Sequence, residues 1–111
     1  MNNKCFNVGL VIADIDEYVH ITKRFADAEQ NDKCGLLSHT IKILADCGEI
    51  TLKTICSGIG KVNATAAAAI IAPECDMLLN AGLSGGFSDA GKFDIVCATG
   101  FVEHDFDLTG I

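Results

Sequence analysis

The stretch Ser57-Gly58-Ile59-Gly60-Lys61 joins two segments of opposite character. Before it, Glu49 to Cys56 is rich in β-formers; after it, Val62 to Ala72 is dominated by alanine, the best helix former, and stops at Pro73, which cannot continue a helix. A strand that runs through two glycines straight into a helix requires a sheet and a helix packed on its face. The junction therefore points to a layered α/β architecture. Its glycines allow close backbone approach to a ligand and the helix start offers free N–H groups, although a tight turn with no ligand uses the same residues.

The remaining chain fits that architecture. Phe6 to Ile12 is a short apolar run that reads as a buried first strand. Asp14 to Phe25 places Ile15, Tyr18, Val19 and Thr22 at helical spacing, with acids at its start where the helix dipole favours them. Gln30 to Gly35 is polar, and Leu36 to Ala45 with Glu49 to Cys56 form two β-like runs around Asp46-Cys47-Gly48, which predicts an antiparallel hairpin. Met77 to Asn80 is a short strand, Ala81 to Gly86 a glycine-rich loop, and Phe93 to Thr99 a further strand.

The expected fold is α/β, a mixed central sheet with flanking helices, formed by a single domain over residues 1–111. In such sheets ligands sit beyond the carboxyl ends of the strands. Ala13 to Glu17, Ser57 to Lys61 and Ala81 to Gly86 are the segments expected to meet there.

Composition narrows the function. Half of the 111 residues are apolar, yet no apolar run approaches the ~20 residues of a membrane span. The amino terminus lacks the pattern of a secretory signal, so a cytoplasmic chain is expected, and its six cysteines are expected as reduced thiols. The net charge is −7, with seven lysines and one arginine, Arg24, scattered along the chain. Nucleic-acid binding rests on clustered cations, so a small ligand fits better than a polyanion.

Two phosphate-binding motifs fail on the opening stretch. A P-loop needs glycine where Ile55 stands and Ser or Thr where Val62 stands; a dinucleotide fingerprint needs glycine where Asn63 stands. A second glycine turn, Asn80-Ala81-Gly82-Leu83-Ser84-Gly85-Gly86, follows the Met77 strand. Two glycine turns converging on one sheet end are more informative than one.

Taken in order, Ser57-Gly58-Ile59-Gly60-Lys61-Val62-Asn63-Ala64, Asn80-Ala81-Gly82 with Gly85-Gly86, Asp94-Ile95-Val96, and His104-Asp105 with Asp107 and Thr109 resemble the 5′-methylthioadenosine/S-adenosylhomocysteine nucleosidases of the nucleoside phosphorylase family. Ala13 and Glu17 after the first strand fit as well. The resemblance spans nearly the whole chain and corresponds to about the amino-terminal half of a family member. It implies a nucleoside-phosphorylase-like fold that is incomplete relative to the family.

The resemblance further implies hydrolysis of an N-ribosidic bond with release of adenine. Such a bond breaks through an oxocarbenium-like state, which requires an activated water near the anomeric carbon and a proton for the leaving base. Glu17 matches the carboxylate that positions and activates that water. Ile59, Leu83, Ser84 and Gly85 match positions lining the purine nucleoside site, and His104, Asp105 and Asp107 a segment near the site and the dimer interface. No cofactor and no metal is implied.

Within the family, a phosphorylase binds its phosphate through arginine, a planar donor suited to oxyanions, whereas Ala13-Asp14-Ile15-Asp16-Glu17 would repel one. The hydrolase is the better fit. A noncatalytic nucleoside-binding or interaction module is the alternative from another class. The chain departs from the family pattern at Asp14, at Leu83 and at Phe93, where the family often has Met, a small residue and Gly. The segments that contact adenine, grip the ribose hydroxyls and protonate the base lie beyond Ile111 in the resemblance. An uncovered sheet edge is therefore expected, to be covered in a homodimer or completed by another chain.

Overall fold

The structure, a computed structural model, describes residues 5–87, 89–103 and 109–110. Five strands form one mixed sheet: β1 (Cys5–Ile12), β2 (Glu29–Lys33), β3 (Leu36–Ala45), β4 (Gly48–Cys56) and β5 (Met77–Asn80), in the order β2-β3-β4-β1-β5. β1 runs parallel to both β4 and β5, while β2, β3 and β4 form an antiparallel meander. Helix α1 (Ile15–Thr22) follows β1, and α2 (Lys61–Ile71) with a 3-10 turn (Ala72–Glu74) links β4 to β5.

The two helices cover opposite faces, because neighbouring residues of a strand point to opposite sides. Ile55 and Val11 pack with Ala67 and Ile71 of α2 in one buried cluster. Thr54, one residue before Ile55, bonds instead to Tyr18 of α1. Gly9 of β1 sits under the α2 side, where an added Cβ would lie 2.6 Å from Leu78 Cδ2 and 2.9 Å from Cys75 Sγ. The crossing is closed only because that position carries no side chain. Glu74 ties the 3-10 turn to the sheet through Lys33 at 3.0 Å and Lys53 at 3.4 Å.

Four strands, among them the two of the hairpin around Asp46-Cys47, and both helices lie where the sequence places them, with ends shifted by up to three residues. Two expectations are corrected. The polar stretch after Gln30 is strand β2, paired with β3 across a two-residue turn in which Cys34 and Gly35 have φ of 55° and 84°. That geometry is the hairpin turn matching strand twist, and Gly35 N donates to Asp32 Oδ1 at 2.8 Å. A strand at the sheet edge needs no buried face, so its polar composition hid it.

The segment from Phe93 to Thr99 is not a strand. Phe93 lies at φ 71°, Asp94 N bonds back to Gly91 O at 3.2 Å, and Ile95 is 98% exposed. Strand conformation needs a neighbour to pair with, and among the described residues no strand lies beside this segment. The same holds for the outer edge of β5, whose four residues are all exposed. The radius of gyration, 16.0 Å, exceeds the ~13 Å of a compact chain of this length. Among the described residues no helix is long and apolar enough to cross a membrane, and their cysteines are free thiols.

Candidate functional site

The three adjacent parallel strands β4, β1 and β5 end side by side, with Ile12 paired to Cys56 and Val11 to Asn80. The chain leaves each strand still hydrogen-bonded to β1: Ser57 N donates to Ile12 O at 3.0 Å and Ala81 N to Val11 O at 3.2 Å. Strand spacing of ~4.8 Å therefore separates the starts of the three segments expected to meet. Their convergence follows from the order of strands, not from any one contact.

Asp14 caps α1, its Oδ1 accepting from Asp16 N at 2.7 Å and Glu17 N at 3.3 Å. Short polar side chains at this position satisfy the unpaired first-turn donors and fix where a helix starts. Glu17 is thereby placed in the first turn, and its Oε1 accepts from Leu83 N in the second glycine loop at 3.3 Å. A Cβ on Gly82 would stand 3.2 Å from the other carboxylate oxygen. The loop thus meets the carboxylate with backbone alone.

Glu17, His20 and Ile21, spaced along one face of α1, line a cleft of about 400 Å³ closed on the other side by Gly82 and Leu83. Of the residues singled out in the sequence, Glu17 and Leu83 come together here. Ile59 is 76% exposed on the neighbouring turn, and Ser84 and Gly85 continue the exposed loop past Leu83; none of the three lines this cleft. His20 and Ile21 were missed, although their spacing of three and four from Glu17 is the signal that would have found them.

The first glycine turn uses both glycines for conformation, Gly58 at φ 83° and Gly60 at φ 108°. Asn63 Nδ2 donates back to Ile59 O at 2.8 Å and braces the turn. Lys61 is exposed, and its ammonium pairs with the carboxylate of Glu103. His104, Asp105 and Asp107 lie outside the described residues. Among the described residues no group of His, Cys, Asp and Glu side chains is arranged to hold a metal ion.

The molecule is thus an open α/β sheet with helices on both faces and a carboxylate-bearing cleft at the ends of its parallel strands, the place where ligands sit in sheets of this class. The chain belongs to the phosphorylase superfamily, whose family profile matches residues 7–111. It is 30% identical over 105 residues to the 5′-methylthioadenosine/S-adenosylhomocysteine nucleosidase of Oceanobacillus iheyensis, covering 92% of this chain and 44% of the relative. Among solved structures it resembles the nucleosidase of the same name from S. pneumoniae with a transition-state inhibitor (TM-score 0.62, 27% identity, 76% of this chain and 36% of that one). It also resembles the one from Colwellia psychrerythraea in complex with adenine (TM-score 0.62, 26% identity, 80% and 36%). The fold is that of the nucleosidases, and the chain spans less than half the length of these relatives.

Proposed function

We propose that this chain carries part of a catalytic domain that hydrolyses the N-ribosidic bond of 5′-methylthioadenosine or S-adenosylhomocysteine and releases adenine. The observation that carries the reading is the placement of Glu17: a carboxylate at the carboxyl end of the central parallel strand, held by the Leu83 amide beside an open cleft. The relatives bear that activity in their names, and two of the solved structures hold a transition-state inhibitor or adenine.

In this reading water attacks the anomeric carbon as the bond to the base breaks, and Glu17 takes the proton the water loses. One Glu17 oxygen keeps its bond to Leu83 N while the other orients the water. The departing base takes its proton from a group other than Glu17. Leu83, Ser84 and Gly85 border the sugar from the second glycine loop, and Ile59 supplies apolar surface from the first.

The bare edge of β5 and an apolar groove of about 300 Å³, between Ala64 and Ala68 of α2 and Leu78 and Leu79 of β5, support completion of this part-domain by a second copy or another chain. A cytoplasmic setting suits its free thiols and small nucleoside substrate. Incubation of the purified chain with methylthioadenosine, followed by measurement of adenine, tests the reading. Adenine release that Glu17→Gln lowers by about 100-fold or more supports it. Release dependent on added phosphate points instead to a phosphorylase, and nucleoside binding without any release to a noncatalytic binding module.

A further inference from the structure

Next to Glu17 in sequence is Tyr18, which is 0% exposed and with Thr22 forms the buried side of α1, while Ile15 and Val19 remain about half exposed. The Tyr18 hydroxyl crosses the α1 face of the sheet and reaches two strands. It lies 2.7 Å from His39 Nδ1 on β3 and 2.8 Å from Thr54 Oγ1 on β4. Thr54 Oγ1 in turn accepts from His39 N at 3.2 Å, and the Tyr18 and His39 rings stand 5.5 Å apart. Among the described residues, this hydroxyl is the side-chain hydrogen bond that joins α1 to the sheet. Among the described residues its other side-chain bonds are those of the Asp14 cap, those of Thr22 Oγ1 within the helix, and that from Leu83 N in the glycine loop to Glu17.

Successive helix residues project about 100° apart, so a Tyr18 fixed inward sets the direction of Glu17 at the rim. Leu83 N holds only one carboxylate oxygen, from an exposed loop, and cannot fix the helix. We infer that Tyr18, pinned to His39 and Thr54, is the positioning residue that aims the Glu17 carboxylate at the cleft. The inference rests on the functional reading of Glu17 only for its consequence, since the geometry it predicts can be measured without turnover.

The test is amide NMR of the 111-residue chain. Leu83 N donates to the Glu17 carboxylate, so Glu17→Gln moves the Leu83 amide shift, and the size of that displacement in each background is the response read. Tyr18→Phe keeps the ring and removes both bonds. Its expected effect is a Leu83 response cut to less than half and Leu83 hydrogen exchange faster by about fivefold or more, the factor that an ordinary hydrogen bond is worth. His39→Asn, whose amide oxygen can stand where Nδ1 stands, restores the wild-type response; His39→Ala does not.

A Leu83 response unchanged in Tyr18→Phe overturns the inference. So does a His39→Asn variant as impaired as His39→Ala, which also decides the matter if Tyr18→Phe fails to fold. Unaltered adenine release in Glu17→Gln would instead sink the functional reading and leave the positioning result standing.

Discussion

The Glu17 carboxylate accepts a hydrogen bond from the Leu83 backbone amide at 3.3 Å, across 66 positions of sequence. One partner stands in the first turn of a capped helix and the other in a glycine loop after the neighbouring strand. Their meeting depends on β1 and β5 lying side by side, and it turns two unremarkable local features into one side of a cleft.

Gly82 makes that approach possible. A methyl group there would sit 3.2 Å from Glu17 Oε2, tighter than an ordinary contact, and Gly82 does not need a positive φ. Gly82→Ala is therefore expected to leave the stability of the chain within about 0.5 kcal/mol while displacing the carboxylate by a few tenths of an ångström. Where adenine release is measurable, that displacement lowers it by about tenfold. Thermal melts and an adenine assay on the same preparation check both parts.

Gly9 is the opposite case, a glycine required by the core. The methyl group of Gly9→Ala would fall 2.6 Å from Leu78 Cδ2 and 3.0 Å from Ile71 Cδ1, so the packing of these side chains between β1, β5 and α2 must shift. Overpacking of this kind costs about 1–3 kcal/mol. Urea unfolding should show a lower midpoint with an unchanged slope, and an unchanged midpoint would mean that the interface yields freely.

The elements that bury an apolar face were legible in the sequence. The run before Ala13, the hairpin around Cys47 and the alanine-rich helix after Lys61 all announce themselves by pattern or by a breaker. What was hidden had no such face. β2 is polar throughout because it is an edge strand defined by its Cys34-Gly35 turn, and the apolar run after Phe93 mimics a strand but has no neighbour to pair with among the described residues. That the three turns follow the carboxyl ends of strands on one side of the sheet was legible, but only the Glu17 turn and the Gly82 loop line a common cleft. The Tyr18 network was not legible: Tyr18 and Thr22 read only as apolar spacing, and His39 and Thr54 carry no local signal that they share one hydroxyl partner.

That network predicts a stability profile limited on both sides. Burial pushes the Tyr18 phenol from 10.0 up to about 12, offset in part by its bond to Thr54 and reinforced by nearby Cys56. The folded chain thus holds its phenolic proton where the unfolded chain has released it. The contribution of Tyr18 is intact below pH 10 and is lost as pH rises from 10 towards 12, on the order of 2–3 kcal/mol in all. Burial lowers the pKa of His39, so the unfolded state binds the extra proton first and stability falls as pH drops below 6.5. The chain has one tyrosine and no tryptophan, so tyrosinate absorbance reports Tyr18 alone. Its alkaline titration should coincide with unfolding, and Tyr18→Phe should lose the alkaline limb of the profile while keeping the acid one.

Phe93 occupies a backbone conformation that suits glycine. At φ 71° its Cβ crowds the backbone, a cost of about 1–2 kcal/mol for a residue with a side chain. The ring returns little of that: it is 89% exposed, with Lys92 Nζ 5.2 Å from its centre. Two bonds hold the turn in place, Asp94 N to Gly91 O at 3.2 Å and Gly91 N to Asp94 Oδ2 at 2.7 Å, so the strain is not relieved by unwinding. Phe93→Gly should relieve it and, after the extra entropy that glycine gains in the unfolded chain, stabilise by up to about 1 kcal/mol. Phe93→Ala keeps the Cβ and should gain nothing. Paired urea titrations separate the two, and equal midpoints for the glycine and alanine variants would show that the turn opens in solution.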